Sequence, residues 1–383
     1  MLGKRETDPS DVDHNLVSKR PKTSNEDGPN DAKSIASLLD FSSVHTTPEF
    51  HARFEQLARA LLHQHTLVLT AKGKSTEYRI LELEFYLRTS EHEDPYTHGS
   101  EEQKISGQWY FHRAPRRSND STKSLTSTSG YRGGTRKGLD ITIGGPVKSP
   151  YFQNVEDESS EAYSPRGGIL LRTLQRSDDK VVSGPSLLVD EILQRSGASS
   201  IKELVDTMWR GDISVCPPSC SSDEVREEST ERHVFLRLQP SVVVKTDDLP
   251  HIYTSPRIGL DLSHPGTLAS PNHPRVVFIS KPYRHFIYPH LLKSNGRAQT
   301  FLGVNRHSLK DHPRDPFLDT IVRLTGMSAN SAAKYLADYE SGKASGVIQG
   351  FVGLPGKGVC SSASRYLKLI GALETFLAPN EHA

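Results

Sequence analysis

The residues best suited to chemistry lie in an apolar segment, residues 80–87, with the sequence ILELEFYL. Alternation along a strand puts Glu82, Glu84 and Tyr86 on one face and only apolar side chains on the other. A carboxylate beside a tyrosine hydroxyl can activate water or stabilise a developing positive charge. The apolar face must point into the core, so we expect a half-exposed strand in which Glu82 is an ordinary exposed residue and Glu84 is the reactive candidate.

A second group of residues suits nucleic-acid binding. From Arg113 to Lys137 the chain has seven Lys or Arg residues and one acidic residue, Asp120. Aromatic side chains stand beside this stretch at residues 109–111 and at Tyr131. Basic residues interleaved with aromatic ones can hold phosphates and stack on bases. An exposed loop whose charge is merely solvated has the same composition, and this alternative stays open.

The overall composition gives no global sign of a polyanionic or membrane partner. The 383 residues are 34% hydrophobic and 24% charged, with a net charge of +1. Such a chain can fill one sizeable core. Because the net charge is close to zero, a charged binding surface can only be a local patch. No apolar run is long enough to span a bilayer, so no membrane partner is expected.

Cysteine and histidine usage gives no obvious metal site. Three cysteines are too few for a disulfide framework, which favours a reducing intracellular compartment. Cys216 and Cys220 could hold zinc only with two further ligands, and nearby the sequence offers only His233. We therefore expect no metal and no organic cofactor. Other histidines, expected to be surface or capping groups rather than ligands, are His92, His112, His264 and His285.

Periodicity predicts the elements that must position these residues. An amphipathic helix begins near Thr47 as the N-cap, with Pro48 in its first turn. Alternation and apolar runs predict strands, and a Gly-Pro turn opens a short helix after them. Helical spacing returns near the end of the chain. The predicted strands span 65–70, 78–87 and 167–174, and the later helices lie within 183–193, 315–342 and 361–377.

Composition divides the chain into three parts. Residues 1–34 are polar and are expected to be a disordered basic tail. Its two basic clusters, Lys4-Arg5 and residues 19–22, could be captured by a nuclear import receptor, which favours a nuclear location and otherwise a cytoplasmic one. A core is expected over 35–295, with loop insertions near 113–130 and 216–232, and a helical C-terminal extension over 296–383.

Five segments, in order and approximate spacing, resemble the methylpurine DNA glycosylase family, the alkyladenine-type enzymes of base excision repair. A helix with the sequence FEQLARALL precedes a strand ending in Glu84-Phe85-Tyr86, and His98 follows. The strand ILLRTL, the turn SGPSLL, and the late pair RIGLDLS and KPYRHFI complete the series, which runs from about residue 48 to 290. Pattern and resemblance together predict an α+β fold: a single mixed domain with a curved, largely antiparallel sheet and flanking helices.

The resemblance implies a mechanism. These enzymes hydrolyse the N-glycosidic bond of a damaged purine flipped out of the stack. Glu84 would activate water, Tyr86 and His98 would hold the base, and Arg172 would shape the pocket wall. An asparagine that helps to read the base in the family aligns with Asp140. The residues that would contact DNA beyond the pocket are Tyr131, Arg132, Arg136 and Lys137.

The sequence also departs from the family. A tyrosine-rich hairpin inserts an aromatic wedge into the duplex in family members, and the aligned residues 130–144 lack one unless Tyr131 replaces it. Three hypotheses therefore stay open. The first is a DNA glycosylase for alkylated or deaminated purines. The second is a non-catalytic or altered-substrate protein on the same fold that binds DNA, single strands or RNA. The third, a small-molecule nucleoside hydrolase, would not need the basic loop.

Overall fold

Nine antiparallel strands form one sheet at the centre of the described chain. The computed structural model describes residues 34–114, 130–145, 164–216, 234–241, 248–292, 295–311 and 317–378. The predicted basic tail up to residue 33 and most of the two predicted insertions lie outside these ranges. Helices flank the sheet and fill the C-terminal region, so the predicted α+β class is confirmed.

The strands are β1 (His65–Ala71), β2 (Lys74–Arg88), β3 (Trp109–Phe111), β4 (Leu139–Thr142), β5 (Arg166–Arg176), β6 (Val181–Ser183), β7 (Phe235–Pro240), β8 (Tyr253–Ser255) and β9 (Arg284–Phe286). The helices are α1 (Ile35–Leu39), α2 (Thr47–Arg59), α3 (Pro185–Ser196), α4 (Pro274–Ile279), α5 (Arg297–Asp311), α6 (Phe317–Thr325), α7 (Ala329–Ser345) and α8 (Ala363–Phe376).

Strand β2 is the centre of the sheet. The order is β3-β4-β5-β2-β1-β7, with β6 beside β5, β9 beside β2 and β8 beside β9. Lys72 and Gly73, at φ 53° and 74°, make the turn between β1 and β2. Two consecutive left-handed residues are typical of the tight hairpin turn that matches the twist of its strands. The predicted Lys/Gly turn is therefore present, and β2 is longer than the sequence indicated.

Helix α2 covers the apolar face of β2. Its N-cap is Thr46 and not Thr47 as predicted, because the Thr46 side chain accepts from the Glu49 backbone while the Glu49 side chain caps Thr46 in return. This reciprocal pair satisfies two backbone donors at the helix start. Phe54 stacks on Phe85 with ring centroids 4.4 Å apart, which fixes the helix against the sheet.

The opposite face of β2 is covered as well, so the prediction of a half-exposed strand is wrong. From Ile80 to Phe85 every residue of β2 is buried. On this face the Ile258 backbone, after β8, contacts Glu84. Arg284 connects Glu82 to Ser255 of β8 and Thr300 of α5, contacts that the periodicity of β2 alone does not reveal. Charged side chains on this face must therefore find partners inside the protein.

The C-terminal helices pack closely. A side chain at Gly342 of α7 would lie 2.1 Å from the Lys368 carbonyl, and one at Gly371 of α8 would lie 2.1 Å from the Tyr339 carbonyl. Glycine at both positions allows the backbones of α7 and α8 to approach. Tyr366 of α8 is buried in the core. The predicted late helices are confirmed as α6, α7 and α8, and among the described helices none is both long and apolar enough to cross a membrane.

Candidate active site

Glu84 is completely buried and accepts three hydrogen bonds. Its Oε1 accepts from the Ile258 backbone N–H at 2.7 Å. Its Oε2 accepts from the Tyr86 hydroxyl at 2.8 Å and from Arg172 at 3.3 Å. Glu84 and Tyr86 contact each other because residues two apart in a strand share a face, as the sequence predicted.

Tyr86 connects Glu84 to the protein surface. Its side chain is half-buried, and the guanidinium of Arg257 lies 4.5 Å from the ring centroid. Burial, and then the nearby Glu84 carboxylate, raises the pKa of Tyr86 well above its ordinary value. The hydroxyl is therefore a hydrogen-bond donor at neutral pH, while one ring face is packed on a cation.

Arg257 and Asp94 hold this arrangement, and sequence reasoning missed both residues. Arg257 is fully buried and binds Asp94 through two nitrogens, at 2.5 and 3.1 Å. A third bond, 3.0 Å long, reaches the Phe85 carbonyl on β2. A planar guanidinium with paired donors tolerates full burial because its charge is matched and its geometry is fixed. Because Asp94 and the Phe85 carbonyl fix the Arg257 guanidinium, the Tyr86 ring packs against a cation of fixed position.

Glu82 lies two residues from Glu84 but in a closed ionic cluster. Its Oε1 binds Arg284 at 2.6 Å and pairs with Arg172 at 3.3 Å, and Oε2 accepts from Thr173 at 2.5 Å. Burial alone would raise the pKa of Glu82, but Arg284 and Arg172 outweigh it and the pKa is lowered. The prediction that Glu82 is an ordinary exposed residue is wrong, since 3% of it is exposed.

Arg172 bridges the two carboxylates. It lies on β5, the neighbour of β2, and it is buried with one nitrogen on Glu84 and another toward Glu82. Its contact at the predicted pocket wall is therefore the Glu84 carboxylate. Arg172 therefore couples the position of Glu84 to the ionic cluster around Glu82.

His98, His112 and Asp140 form a wall on the β3 side of the sheet. His112 Nε2 lies 2.9 Å from Asp140 Oδ1, and the rings of His98 and His112 meet edge to face at 4.4 Å. Asp140 is opposite Leu170 on β5, which in turn is opposite Glu84. Two strand spacings of about 4.8 Å put the backbones of Asp140 and Glu84 about 10 Å apart.

His98 keeps an exposed side in this wall. The protein atoms crowded around its ring, and the neighbouring His112, lower the pKa of His98 to about 4. The ring is therefore neutral at pH 7 and can accept a hydrogen bond. His112 was expected to be a surface or capping group, but it contacts the buried Asp140 carboxylate. Pairing of β3 with β4 brings these residues together across 28 positions of sequence.

Gly168 separates this wall from the β2 residues. It pairs with Tyr86 on one side and with Thr142 on the other. A Cβ atom at this position would lie 2.7 Å from Asp140 Oδ2, closer than van der Waals contact allows. Asp140 thus occupies space that a side chain on β5 would take, and glycine is required for its present position.

The basic segment of residues 130–137 lies beside α3. Residues 130–134 and Lys137 of this segment, with Arg113 and residues at and after the end of α3, line a groove of about 610 Å³. Tyr131 is half-buried under Arg113, whose guanidinium is 3.9 Å from the ring centroid. Its ring also packs edge to face on Phe111. Tyr131 is therefore a packed residue in this conformation and not a projecting aromatic wedge.

The three predicted phosphate ligands differ in their surroundings. Arg136 is exposed, and Arg132 is half-buried with Nε donating to the Arg113 carbonyl at 2.7 Å. Lys137 pairs with Asp190 of α3. Arg136 is thus presented to solvent, whereas Lys137 would have to exchange a carboxylate partner for a phosphate.

Two further histidines lie in the core, against the expectation that they are surface groups. His92 is 2% exposed and contacts the Tyr283 hydroxyl at 2.7 Å. His285 is 4% exposed on β9, and burial lowers its pKa to about 3. Of the cysteine pair considered for zinc, Cys216 is free and Cys220 lies outside the described residues.

Comparison with known proteins assigns no activity. No family model matches the chain. The chain is 28% identical over 208 residues to the uncharacterized protein L759 of Acanthamoeba polyphaga mimivirus, and the match covers 54% of this chain and 78% of the viral protein. That protein is uncharacterized, so the similarity carries no activity for this chain.

Proposed function

We propose that the chain is a DNA glycosylase that hydrolyses the N-glycosidic bond of alkylated or deaminated purines in base excision repair. The observation that carries the proposal is the Glu84 carboxylate, oriented by the Tyr86 hydroxyl and Arg172 on one sheet face. The resemblance in segment order supports it independently of this geometry. The activity needs no organic cofactor.

Glu84 has the geometry for water activation. A carboxylate can accept about four hydrogen bonds, and Glu84 accepts three, so one position is left for a water molecule. In hydrolysis Glu84 takes a proton from this water as its oxygen bonds to the anomeric carbon. The carbon–nitrogen bond breaks, and its electron pair leaves with the base. The same negative charge stabilises the oxocarbenium-like sugar in the transition state.

The base would lie between Tyr86 and the His98 wall. Between the two flanking strands β5 carries Gly168, which has no side chain, and the Asp140 carboxylate borders this position. His98, neutral at pH 7, and the Asp140 carboxylate offer hydrogen-bond acceptors to a base with exposed N–H groups. Acceptors on this wall favour a base that presents donors, as deaminated purines do at their ring nitrogens.

The basic groove would bind the DNA backbone. Arg132 and Arg136 lie between β3 and β4, and β4 carries Asp140 of the His98 wall. A flipped nucleotide needs its flanking phosphates held, and guanidinium groups do this well. The basic clusters of the tail, outside the described residues, would serve a nuclear import receptor and are consistent with a nuclear role.

A second candidate, a binding protein on the same fold without catalysis, is favoured by two observations. Glu84 has no exposed surface in this conformation, so a substrate can reach it only if the cover around Ile258 or Tyr86 moves. Tyr131 lies under Arg113 and does not project as a wedge. A protein for single strands or RNA would need no wedge, because its bases are already unpaired.

Base release from defined oligonucleotides tests the proposal. The substrates carry hypoxanthine or a methylated purine, as duplexes and as single strands, and the proteins are the wild type and Glu84→Gln. We expect release by the wild type and loss of release in Glu84→Gln. The matched control is Glu77→Gln, an exposed glutamate on the same strand, which should release base at the wild-type rate.

Release by Glu84→Gln at the wild-type rate would refute the role of Glu84. No release from any substrate, with oligonucleotide binding intact in all three proteins, would favour the binding protein. Release from free nucleosides but not from oligonucleotides would favour a small-molecule hydrolase.

A further inference from the structure

We propose that His98, His112 and Asp140 form a binding site for one divalent transition-metal cation of the zinc class. The site shares His98 and Asp140 with the base wall of the glycosylase proposal, but metal binding is measured without any substrate, so the two proposals can fail separately. It also differs from the sequence expectation of no metal, which considered only the cysteines. Among the described residues these three are the group whose ligand atoms converge.

The distances fit one ion. One ligand atom from each residue lies within 4.8 Å of the other two, and His112 Nε2 is 2.9 Å from Asp140 Oδ1. Zinc bonds to nitrogen and oxygen of about 2.1 Å place tetrahedral ligands about 3.4 Å apart. Small side-chain rotations of His98 would bring its nitrogen to this spacing, and its partly exposed ring has room to make them.

The donor set is chemically suitable. Two imidazoles and one carboxylate are nitrogen and oxygen donors that borderline divalent ions such as Zn²⁺ prefer. Three protein ligands leave at least one coordination position open, which is typical of catalytic and not of structural zinc sites. The open position would face the exposed side of His98, so an ion and a further ligand could enter from solvent.

Two of the three ligands are held in place before any ion binds. The His112 ring packs over Gly138, where a Cβ atom would lie 2.5 Å from it, and the His112 backbone N–H donates to the Gly138 carbonyl. Asp140 is 2% exposed, and Gln103 Nε2 lies 3.5 Å from Oδ2, the oxygen that His112 does not contact. Hydrogen bonds and packing around the ligands orient them toward a metal and are typical of built sites.

The simpler interpretation is a His112–Asp140 hydrogen bond with His98 as a bystander. That interpretation makes a different prediction: zinc would not bind at this wall, or would bind equally well after replacement of the partly exposed His98. His98→Asn is therefore the informative variant. Its exposed position also makes it the least damaging of the three substitutions to the fold.

The test is a titration of the full chain, stripped with a chelator and dialysed, with Zn²⁺ alone at pH 7. We expect one equivalent to bind. His98→Asn, His112→Asn and Asp140→Asn should each weaken binding about tenfold or more, since removing even a residue that only supports a ligand has about this effect. Circular dichroism of each variant establishes that it is folded. His264→Asn, an exposed histidine outside the site, should bind like the wild type.

Cysteine ligation is tested separately with the double variant Cys216→Ser/Cys220→Ser, which should retain binding. The Co²⁺ form should lack the near-ultraviolet absorption of thiolate coordination. The inference is overturned by any of three results: no binding by the wild type, unchanged binding in His98→Asn, or binding abolished in the double cysteine variant.

Discussion

Glu82 and Glu84 lie on the same face of one strand, yet they have different partners. Glu82 is surrounded by two arginines and a threonine, with every near neighbour inside the protein. Glu84 shares Arg172 but otherwise binds a tyrosine hydroxyl and a backbone N–H, and that tyrosine reaches the surface. Glu82 has two charged partners and serves the fold, whereas Glu84 has one charged partner and two uncharged donors, one of them the hydroxyl of a tyrosine that reaches the surface.

The comparison predicts that the Glu82 cluster contributes mainly stability. Arg284→Met leaves Glu82 buried with one arginine fewer and also removes bonds to Ser255 and Thr300. Losing one member of a buried ion pair costs about 3 to 5 kcal/mol of unfolding free energy. Urea unfolding measures the loss.

Arg88→Met, an exposed arginine at the end of β2, is the matched control and should change stability by less than about 0.5 kcal/mol. Equal stability of the two variants would show that the cluster contributes nothing, and the contrast between the two glutamates would fail.

The basic segment should contribute to binding and not to stability. Arg132→Ala/Arg136→Ala/Lys137→Ala removes up to three cations that we propose to bind phosphate. Loss of each phosphate contact makes the slope of log affinity against log salt concentration less steep by about 0.9. We expect about 10- to 100-fold weaker oligonucleotide binding at low salt, and a smaller difference at high salt. Fluorescence anisotropy at several salt concentrations measures it.

The single variant Lys137→Ala should have the smallest effect of the three positions, because Lys137 is already paired with Asp190. Unchanged affinity and salt dependence in the triple variant would remove the proposed DNA face and leave a small-molecule hydrolase as the better hypothesis.

Gly168 links the wall to the central strand. In Gly168→Ala the new Cβ would lie 2.7 Å from Asp140 Oδ2, so the carboxylate must move or the strands must separate. Crowding of this kind costs about 1 to 3 kcal/mol of unfolding free energy. Gly350→Ala, where nothing lies within 4 Å of the added atom, should be neutral in the same thermal melts. Identical melting of both variants would contradict the close approach of β5 and Asp140.

Acid should lower the unfolding free energy more through the buried His285 than through the exposed His98. The pKa of His285 falls from 6.5 to about 3 on burial. Below pH 6.5 the unfolded chain therefore binds a proton that the folded chain does not bind until about pH 3. This residue lowers stability as the pH falls through that window, by at most about 1.4 kcal/mol per pH unit.

His285→Gln should flatten the pH dependence of unfolding free energy between pH 6.5 and 4, measured with urea. His98→Asn should flatten it less, because solvent reaches His98. The lowered pKa of Glu82 adds a further loss as the pH falls below 4.5, and this loss should remain in both histidine variants. An unchanged pH profile in His285→Gln would contradict the buried, neutral state of His285.

Local patterns predicted the elements and one pair of site residues. Alternation in β2 put Glu84 and Tyr86 on one face, and the hydrogen bond between them follows directly. Helical spacing located α2 and α8 because each buries one apolar stripe. The predicted N-cap was wrong by one position, since Thr46 and Thr47 have the same side chain and only their backbone angles decide which one caps the helix.

Long-range partners could not be predicted in the same way. Arg257 contacts Asp94 across 163 positions of sequence, and Arg284 contacts Glu82 across 202 positions. Nothing local in a sequence states which buried arginine meets which carboxylate. The exposure of Glu82 was misjudged for the same reason, since a second layer over β2 is a tertiary feature. His112 could have been placed near Asp140 by pairing QWYFHR with KGLDITI as a hairpin.

The most direct test measures Glu84→Gln and Glu82→Gln side by side, for urea unfolding and for single-turnover base release from a hypoxanthine oligonucleotide. We predict that Glu84→Gln slows release at least about 100-fold, the contribution of a positioned base, with the smaller loss of stability. Glu82→Gln should lose more unfolding free energy, while its folded fraction releases base within about tenfold of the wild-type rate. The reverse pattern, with release retained in Glu84→Gln and abolished in a stable Glu82→Gln, would contradict the account.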